Sequence, residues 1–271
     1  FCSFGDMLRV PGSRKDLLAY VKRRHGESGI IYTSSRKNVE SLASFLRDAG
    51  VRAVPYHAGL RDDVRGRHQD LFARDEAEVV VATIAFGMGI DKSNVRYVIH
   101  REMPRSIESY YQEIGRAGRD GLQSDCILLY SWADVMSHER FQDGIDDPDV
   151  RRSAREKTRA MFELADAPGC RQRNLVVYFD ETMEACGSSC DQCRGTTFLD
   201  LVRPVKGARP AGTVVSPAAS PLPAADDALF QRLRALRRAL ADTEGVPAYI
   251  VFSDAVLARM AAARPTDDAG L

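Results

Sequence analysis

Two arginines three residues apart, interleaved with glycines, are the part of this sequence best suited to phosphate chemistry: Gln112-Glu113-Ile114-Gly115-Arg116-Ala117-Gly118-Arg119-Asp120-Gly121. Residues three apart share a helix face, so a helix through this stretch projects Arg116 and Arg119 together. Gly115 and Gly118 carry no side chain and let a phosphate or a second backbone come close. Two convergent guanidiniums neutralise the charge that builds on a transferring γ-phosphoryl group, the work of an arginine finger. A surface helix with solvated arginines is the plainer alternative, and the paired glycines weigh against it.

Three more segments follow predicted strands, where open α/β sheets bind ligands. In Thr83-Ile84-Ala85-Phe86-Gly87-Met88-Gly89-Ile90-Asp91-Lys92, Gly87 and Gly89 permit close approach. Thr83 offers a hydroxyl to a phosphate, and Asp91 can accept from a ribose hydroxyl. A tight turn explains an isolated Gly-x-Gly, so position carries this inference. In Tyr56-His57-Ala58-Gly59-Leu60, Tyr56 can pack on a sugar or base and His57 can donate to a phosphate. A satisfied loop histidine accounts for His57 equally well. Thr33, Ser34 and Arg36 end another strand and are placed for backbone contacts to a nucleic acid.

Cys170, then Cys186-Gly187-Ser188-Ser189-Cys190-Asp191-Gln192-Cys193, supply four thiolates, three of them gathered by short turns, as tetrahedral zinc requires. The Cys186–Cys190 gap is one residue wider than the commonest spacing. Cys126 lies within an apolar strand and reads as core.

The elements that must hold these groups alternate from residue 13 to about 142. Ser13 caps a helix through Leu17, Leu18 and Val21, with Asp16 as its reciprocal partner. Strands are expected at Gly29–Tyr32, Val51–Tyr56, Val79–Ala82, Val95–Ile99 and Cys126–Tyr130. Helices fall between them: Val39–Leu46 stopped by Gly50, Val64–Phe72, and Ser106–Ala117. This is a doubly wound α/β lobe with a parallel sheet. Four segments result: the lobe (1–145), a small helical zinc-binding subdomain (146–200), a Pro/Ala-rich linker (201–225) and a helical segment (226–271) whose Leu229, Leu233, Leu236 and Leu240 mark one apolar face. The basic run Arg151–Arg159 reads as a solvated helix face, with contact to duplex phosphates as the alternative.

In order, Ile30–Arg36, Tyr56–Leu60, Thr83–Lys92 and Gln112–Gly121 resemble the second RecA-like lobe of superfamily 2 helicases. The lead-in Pro104-Arg105-Ser106-Ile107-Glu108-Ser109-Tyr110-Tyr111 is similar to the RecQ family in particular, and the likeness spans residues 28–193. That resemblance implies an ATP-dependent 3′-to-5′ DNA helicase. Arg119 would be the principal finger and Arg116 its assistant, with Gln112, Gly89 and Asp91 on the nucleotide side. Thr33, Ser34, Arg36, Tyr56, His57 and Thr83 would track single-stranded DNA. It implies structural zinc on Cys170, Cys186, Cys190 and Cys193, and ATP with Mg²⁺ shared with an N-terminal RecA-like lobe. Expected partners are single-stranded and branched DNA and single-strand-binding protein, in the cytoplasm (on the nucleoid in a bacterium), in repair, recombination and the SOS response. Ser93 stands where the family commonly has proline. Residues 226–271 resemble the first half of an HRDC domain, and the linker stands where a winged helix is expected.

Several features bound this reading. No Gly-x-x-x-x-Gly-Lys-Ser/Thr occurs, so no phosphate-cradling loop is present. Asp75-Glu76-Ala77-Glu78 mimics an acidic motor box but precedes its strand, and reads as a surface turn. Basic and acidic residues balance at 38 each, so nucleic-acid contact must come from local clusters. No apolar run is long enough to span a bilayer. The first residues lack a signal-peptide layout, which makes the six cysteines those of a reducing compartment. The absence of an initiator Met suggests a piece of something longer. Without a nucleotide loop, a non-catalytic DNA- or partner-binding module is the competing expectation.

Overall fold

The computed structural model describes Met7–Leu8, residues 14–84, Phe86, 92–202 and 224–264. Cys2, Ser13, Gly87, Gly89, Asp91 and most of the expected linker lie outside these residues. Six parallel strands, β1 (Met7–Leu8), β2 (Ser28–Tyr32), β3 (Ala53–Tyr56), β4 (Val79–Ala82), β5 (Val95–His100) and β6 (Asp125–Leu129), form one sheet in the order β1-β6-β5-β2-β4-β3. The two-residue edge strand β1 was not expected from the sequence. It pairs Met7 and Leu8 with Leu128 and Leu129.

Strand side chains alternate between faces, and the sequence supplies apolar residues on both. Ile30, Val80, Val98 and Leu128 build one core with Phe72, Tyr110 and Met161. Ile31, Val81, Ile99 and Ile127 build the other with Leu17, Leu42 and Phe198. Helices α1 (Arg14–Arg23), α2 (Arg36–Asp48), α3 (Asp62–Ala73) and α4 (Ile107–Ile114) are the coverings of this doubly wound lobe. Gly29 lets β5 and β2 lie close: a Cβ there would overlap the Tyr97 ring at 1.9 Å.

After β6 the chain turns helical. A reciprocal cap between Ser131 and Asp134 starts α5 (Trp132–Gln142). Pro148 and the Asp147 cap start α6 (Pro148–Asp166), which leads to α7 (Arg171–Tyr178) and α8 (Asp191–Arg194). The short α9 (Phe198–Val202) returns to the lobe, where Phe198 packs 5.8 Å from the Tyr20 ring.

The last described elements are α10 (Ala224–Glu244), α11 (Ala248–Val251) and α12 (Asp254–Ala263). The expected leucine face of α10 needs correcting. Leu236 and Leu240 are exposed, whereas Arg237 and Ala241 are buried. Arg237 donates to Phe252 O at 2.7 Å and pairs with Asp254 at 2.8 Å, so polar groups hold this helix to α11 and α12. Arg234 and Arg238 reach back to the carbonyls of Gly26 and Asp75 on the lobe.

The acidic run before β4 is not a surface turn. Asp75 takes the left-handed backbone (φ 59°) and accepts from Ser28 and from the buried Lys92, while Glu78 is buried beside Arg52. Its rejection as a motor box stands, because these carboxylates sit at the amino ends of the strands and are consumed by ion pairs.

Candidate functional site

The carboxyl ends of β2, β4 and β3 are neighbours, so Thr33, Ser34, Thr83 and Tyr56 share one edge of the sheet. Thr33 N donates to Ala82 O at 2.8 Å and Thr83 N to Tyr56 O at 3.2 Å, which stitches the three strand ends together. Ser34 and Arg36 are exposed there, with Arg36 at the first turn of α2 behind the Ser35 cap. Ser34 N is already bound by Glu102 at 2.9 Å, leaving the hydroxyl as its free chemistry. Tyr56 packs edge-on to Phe86 at 4.7 Å.

His57 does not join this edge as a phosphate donor. Its ring is buried, Nε2 lies 2.9 Å from Glu40, and Nδ1 accepts from the Gly59 amide at 3.1 Å. Both nitrogens are spent inside the chain, which corrects the DNA-contact expectation and favours the satisfied loop histidine.

The arginine segment is built differently from the expected helix. Ser106 caps α4 by accepting from the Ser109 amide, but the helix ends at Ile114, and residues 115–122 run through turns. Arg116 and Arg119 therefore do not share a helix face. The chain reverses between them at Gly118, which has φ +64°. A Cβ there would meet Ser124 Oγ at 2.8 Å and Leu122 O at 2.9 Å, so Gly118 serves the turn and not a ligand. Asp120 fastens the same turn by pairing with the buried Arg96, which also donates to the carbonyls of Ser93, Asn94 and Gln123.

Arg119 is exposed and donates from Nε to Gly115 O at 3.3 Å; Gln112 is exposed on α4. Arg116 is half-buried, within hydrogen-bonding reach of the Tyr32 hydroxyl. Burial, aided by Glu113, pushes Tyr32 upward against the lowering influence of both arginines. Tyr32 in turn donates to Phe86 O at 2.9 Å. A cavity of about 60 Å³ lies under this edge, lined by residues that include Thr33, Ser34, Thr83, His100 and Glu113. His100 and Glu113 were missed in the sequence. The available signal was Glu113 on the same α4 stripe as Tyr110 and Ile114, a carboxylate where an apolar residue belongs.

The four cysteine sulfurs lie within 4.8 Å of one another, Cys170 and Cys190 buried, Cys186 and Cys193 half-buried. Burial opposes ionisation of the Cys170 thiol, yet the Arg173 and Cys186 amides bring it down to about 7. Burial and sulfur neighbours push Cys186 and Cys193 upward. An all-thiolate, compact donor set fits structural zinc. Its frame is Arg171, beside Cys170, which grips both Asp191 oxygens (3.2 and 3.3 Å), beside Cys190, and the carbonyls of Ala165 and Ala167 at 2.9 Å. The basic face of α6 is largely neutralised, since Arg152, Arg155 and Arg159 pair with Asp149, Asp143 and Glu139.

Three family models match separate stretches of this chain. The helicase conserved C-terminal domain model matches residues 12–121, the RecQ zinc-binding model 132–194 and the HRDC model 226–271. The chain belongs to the RecQ family. It is 44% identical to the ATP-dependent DNA helicase RecQ of Bacillus subtilis over 69% of this chain and 32% of that protein. The Haemophilus influenzae helicase of the same name is 46% identical over 66% and 29%. The Pasteurella multocida one is 33% identical over 94% and 56%. This RecQ-family chain thus spans between about a third and about half of these three relatives. A DEAD box protein from Methanococcus jannaschii is 26% identical over 51% of this chain and 38% of that one, at a TM-score of 0.42. The zinc-binding match and the cysteine cluster support a structural zinc ion. Among the described residues no helix is long and apolar enough to cross a membrane.

Proposed function

We propose that this chain supplies the second motor lobe and zinc module of an ATP-dependent 3′-to-5′ DNA helicase. Ser34, Arg36, Tyr56 and Thr83 contact single-stranded DNA along the sheet edge, over Thr33, which is buried there with its hydroxyl donating to Ser35 O. Arg119, assisted by Arg116, meets the γ-phosphate of ATP·Mg²⁺ held mainly by an N-terminal RecA-like lobe, with Gln112, Gly89 and Asp91 on the same nucleotide. Cys170, Cys186, Cys190 and Cys193 hold the zinc. The observation that carries this reading is the shared placement of edge and arginines about Tyr32: its backbone leads into Thr33 while its hydroxyl adjoins Arg116. The same proposal extends to the polarity, a branched-DNA preference, a single-strand-binding-protein partner and a cytoplasmic site of action in DNA repair, supported by the likeness to RecQ helicases.

In the protein carrying both lobes, Arg119→Ala is expected to lower ATP turnover by about 10³-fold or more while leaving zinc content unchanged. Near-normal turnover would remove the finger assignment. A second reading, a DNA- or partner-binding module without hydrolysis, draws on the lack of a phosphate-cradling loop in these 271 residues. DNA binding with no ATPase, even with the first lobe supplied, would favour it.

A further inference from the structure

Tyr32 and His100 are register partners at the ends of the adjacent strands β2 and β5. Their rings stack at 5.1 Å with an interplanar angle of 20°. His100 is buried, and its Nε2 lies 2.6 Å from Glu113 Oε2, three residues before Arg116. Tyr110, on the same helix, meets the His100 ring edge-on at 5.1 Å. Nδ1 of His100 is buried without a hydrogen-bond partner among the described residues. The cavity between this ring and Thr33, Ser34 and Thr83 has about 60 Å³, room for a water or two and not for a nucleotide.

This arrangement forms a joint and not a binding pocket. On one side stand the groups assigned to DNA; on the other, α4 delivers Arg116. Between them runs an unbroken packed series: Thr33, Tyr32, His100, Glu113. One link of that series, His100–Glu113, is a buried polar pair. Replacing a buried polar pair with apolar residues of similar volume is often neutral or stabilising. Stability alone therefore gives little reason for His100 and Glu113, whereas fixing one orientation of α4 against β5 does.

We propose that His100 is a positioning residue: through Glu113 and Tyr32 it ties the placement of Arg116 to contact between a single-stranded nucleic acid and the Thr33–Thr83 edge. The inference rests on the helicase reading above and adds to it the route by which DNA contact reaches the arginine. Movement of a strand end of β2 or β4 is passed by the stacked rings to the Glu113 carboxylate, and hence to the turn carrying Arg116. Misplacing a catalytic group by about 1 Å costs roughly a hundredfold in rate, so a small shift suffices.

The test uses the protein carrying both lobes and compares ATP turnover with and without oligothymidylate. In His100→Ala, the ratio of DNA-stimulated to basal turnover is expected to fall by roughly ten- to a hundredfold. The loss lies in kcat, with KM for ATP little altered. Glu113→Gln, which keeps the shape and a hydrogen-bonding oxygen, should retain most of the ratio. The double variant His100→Ala/Glu113→Ala should be no worse than the poorer single one. An unchanged ratio in His100→Ala, or equal falls in basal and stimulated rates tracking a lowered Tm, overturns the relay alone. Additive losses in the double variant do so as well. A parent protein whose turnover ignores DNA removes the helicase reading and the relay together.

Discussion

The cysteine cluster and the arginine segment are both built from turns, yet they stand at opposite degrees of completion. The cysteines converge within the chain: four sulfurs within 4.8 Å, braced by a buried arginine that spends its donors on Asp191 and two carbonyls. The arginines are left nearer the solvent, Arg119 donating back to Gly115 O. Arg119 is exposed, and Arg116 leans on a tyrosine. A structural site is finished where it is made, because its energy is folding energy. A site for a transferring phosphoryl group must stay half-made until a second surface closes on it, so that charge is met only in the assembled state.

Either site can be disabled while the other stays intact. Arg119→Ala should abolish most ATP turnover at no cost to the fold. Cys190→Ser should do the reverse, releasing zinc and unfolding the 170–194 module while the sheet persists. Zinc content by atomic absorption and far-UV circular dichroism check it, and full zinc occupancy in that variant would show the cluster is not one site. Next in size is the brace. Arg171→Ala leaves Asp191 buried and unpaired and should cost about 3–5 kcal/mol, read as a lowered denaturation midpoint. A loss near zero would mean that the sulfurs and metal alone shape the module.

The smallest effect belongs to the Asp75–Lys92 pair at the opposite end of the sheet. Burial opposes ionisation of Asp75, but Lys92 and Ser28 more than offset it and hold the carboxyl below its ordinary value. A group depressed in the folded state binds fewer protons there than when unfolded. Its contribution is present above the ordinary carboxylate range and fades as pH falls below it. Asp75→Asn should flatten that acid limb of the stability curve in denaturant titrations at several pH values; an unchanged limb would assign it to other carboxylates.

Much of this was legible before folding. Five of the six strands, the parallel α/β class, the cysteine set and the arginine pair all follow from local runs and spacing, because apolar periodicity and ligand type are written residue by residue. The edge strand β1 was not legible, since two residues carry no period. The turn at Gly118 was missed because a helix and a reversal place Arg116 and Arg119 equally well on paper. His57 looked like a donor until Glu40 and Gly59 were seen to take both its nitrogens. The leucines of α10 looked like a core face, but Arg237 and Ala241 hold that place.

The sequence by itself determined which chemistry this chain carries, because donor types and their short-range spacing are covalent facts. Only the tertiary structure decided which groups remain free to act. Strand order puts β5 against β2, and with it His100, itself 2.6 Å from Glu113, against Tyr32, a meeting of residues 68 positions apart. Such contacts are selected by the packing of whole faces, whose energy no local window of sequence contains.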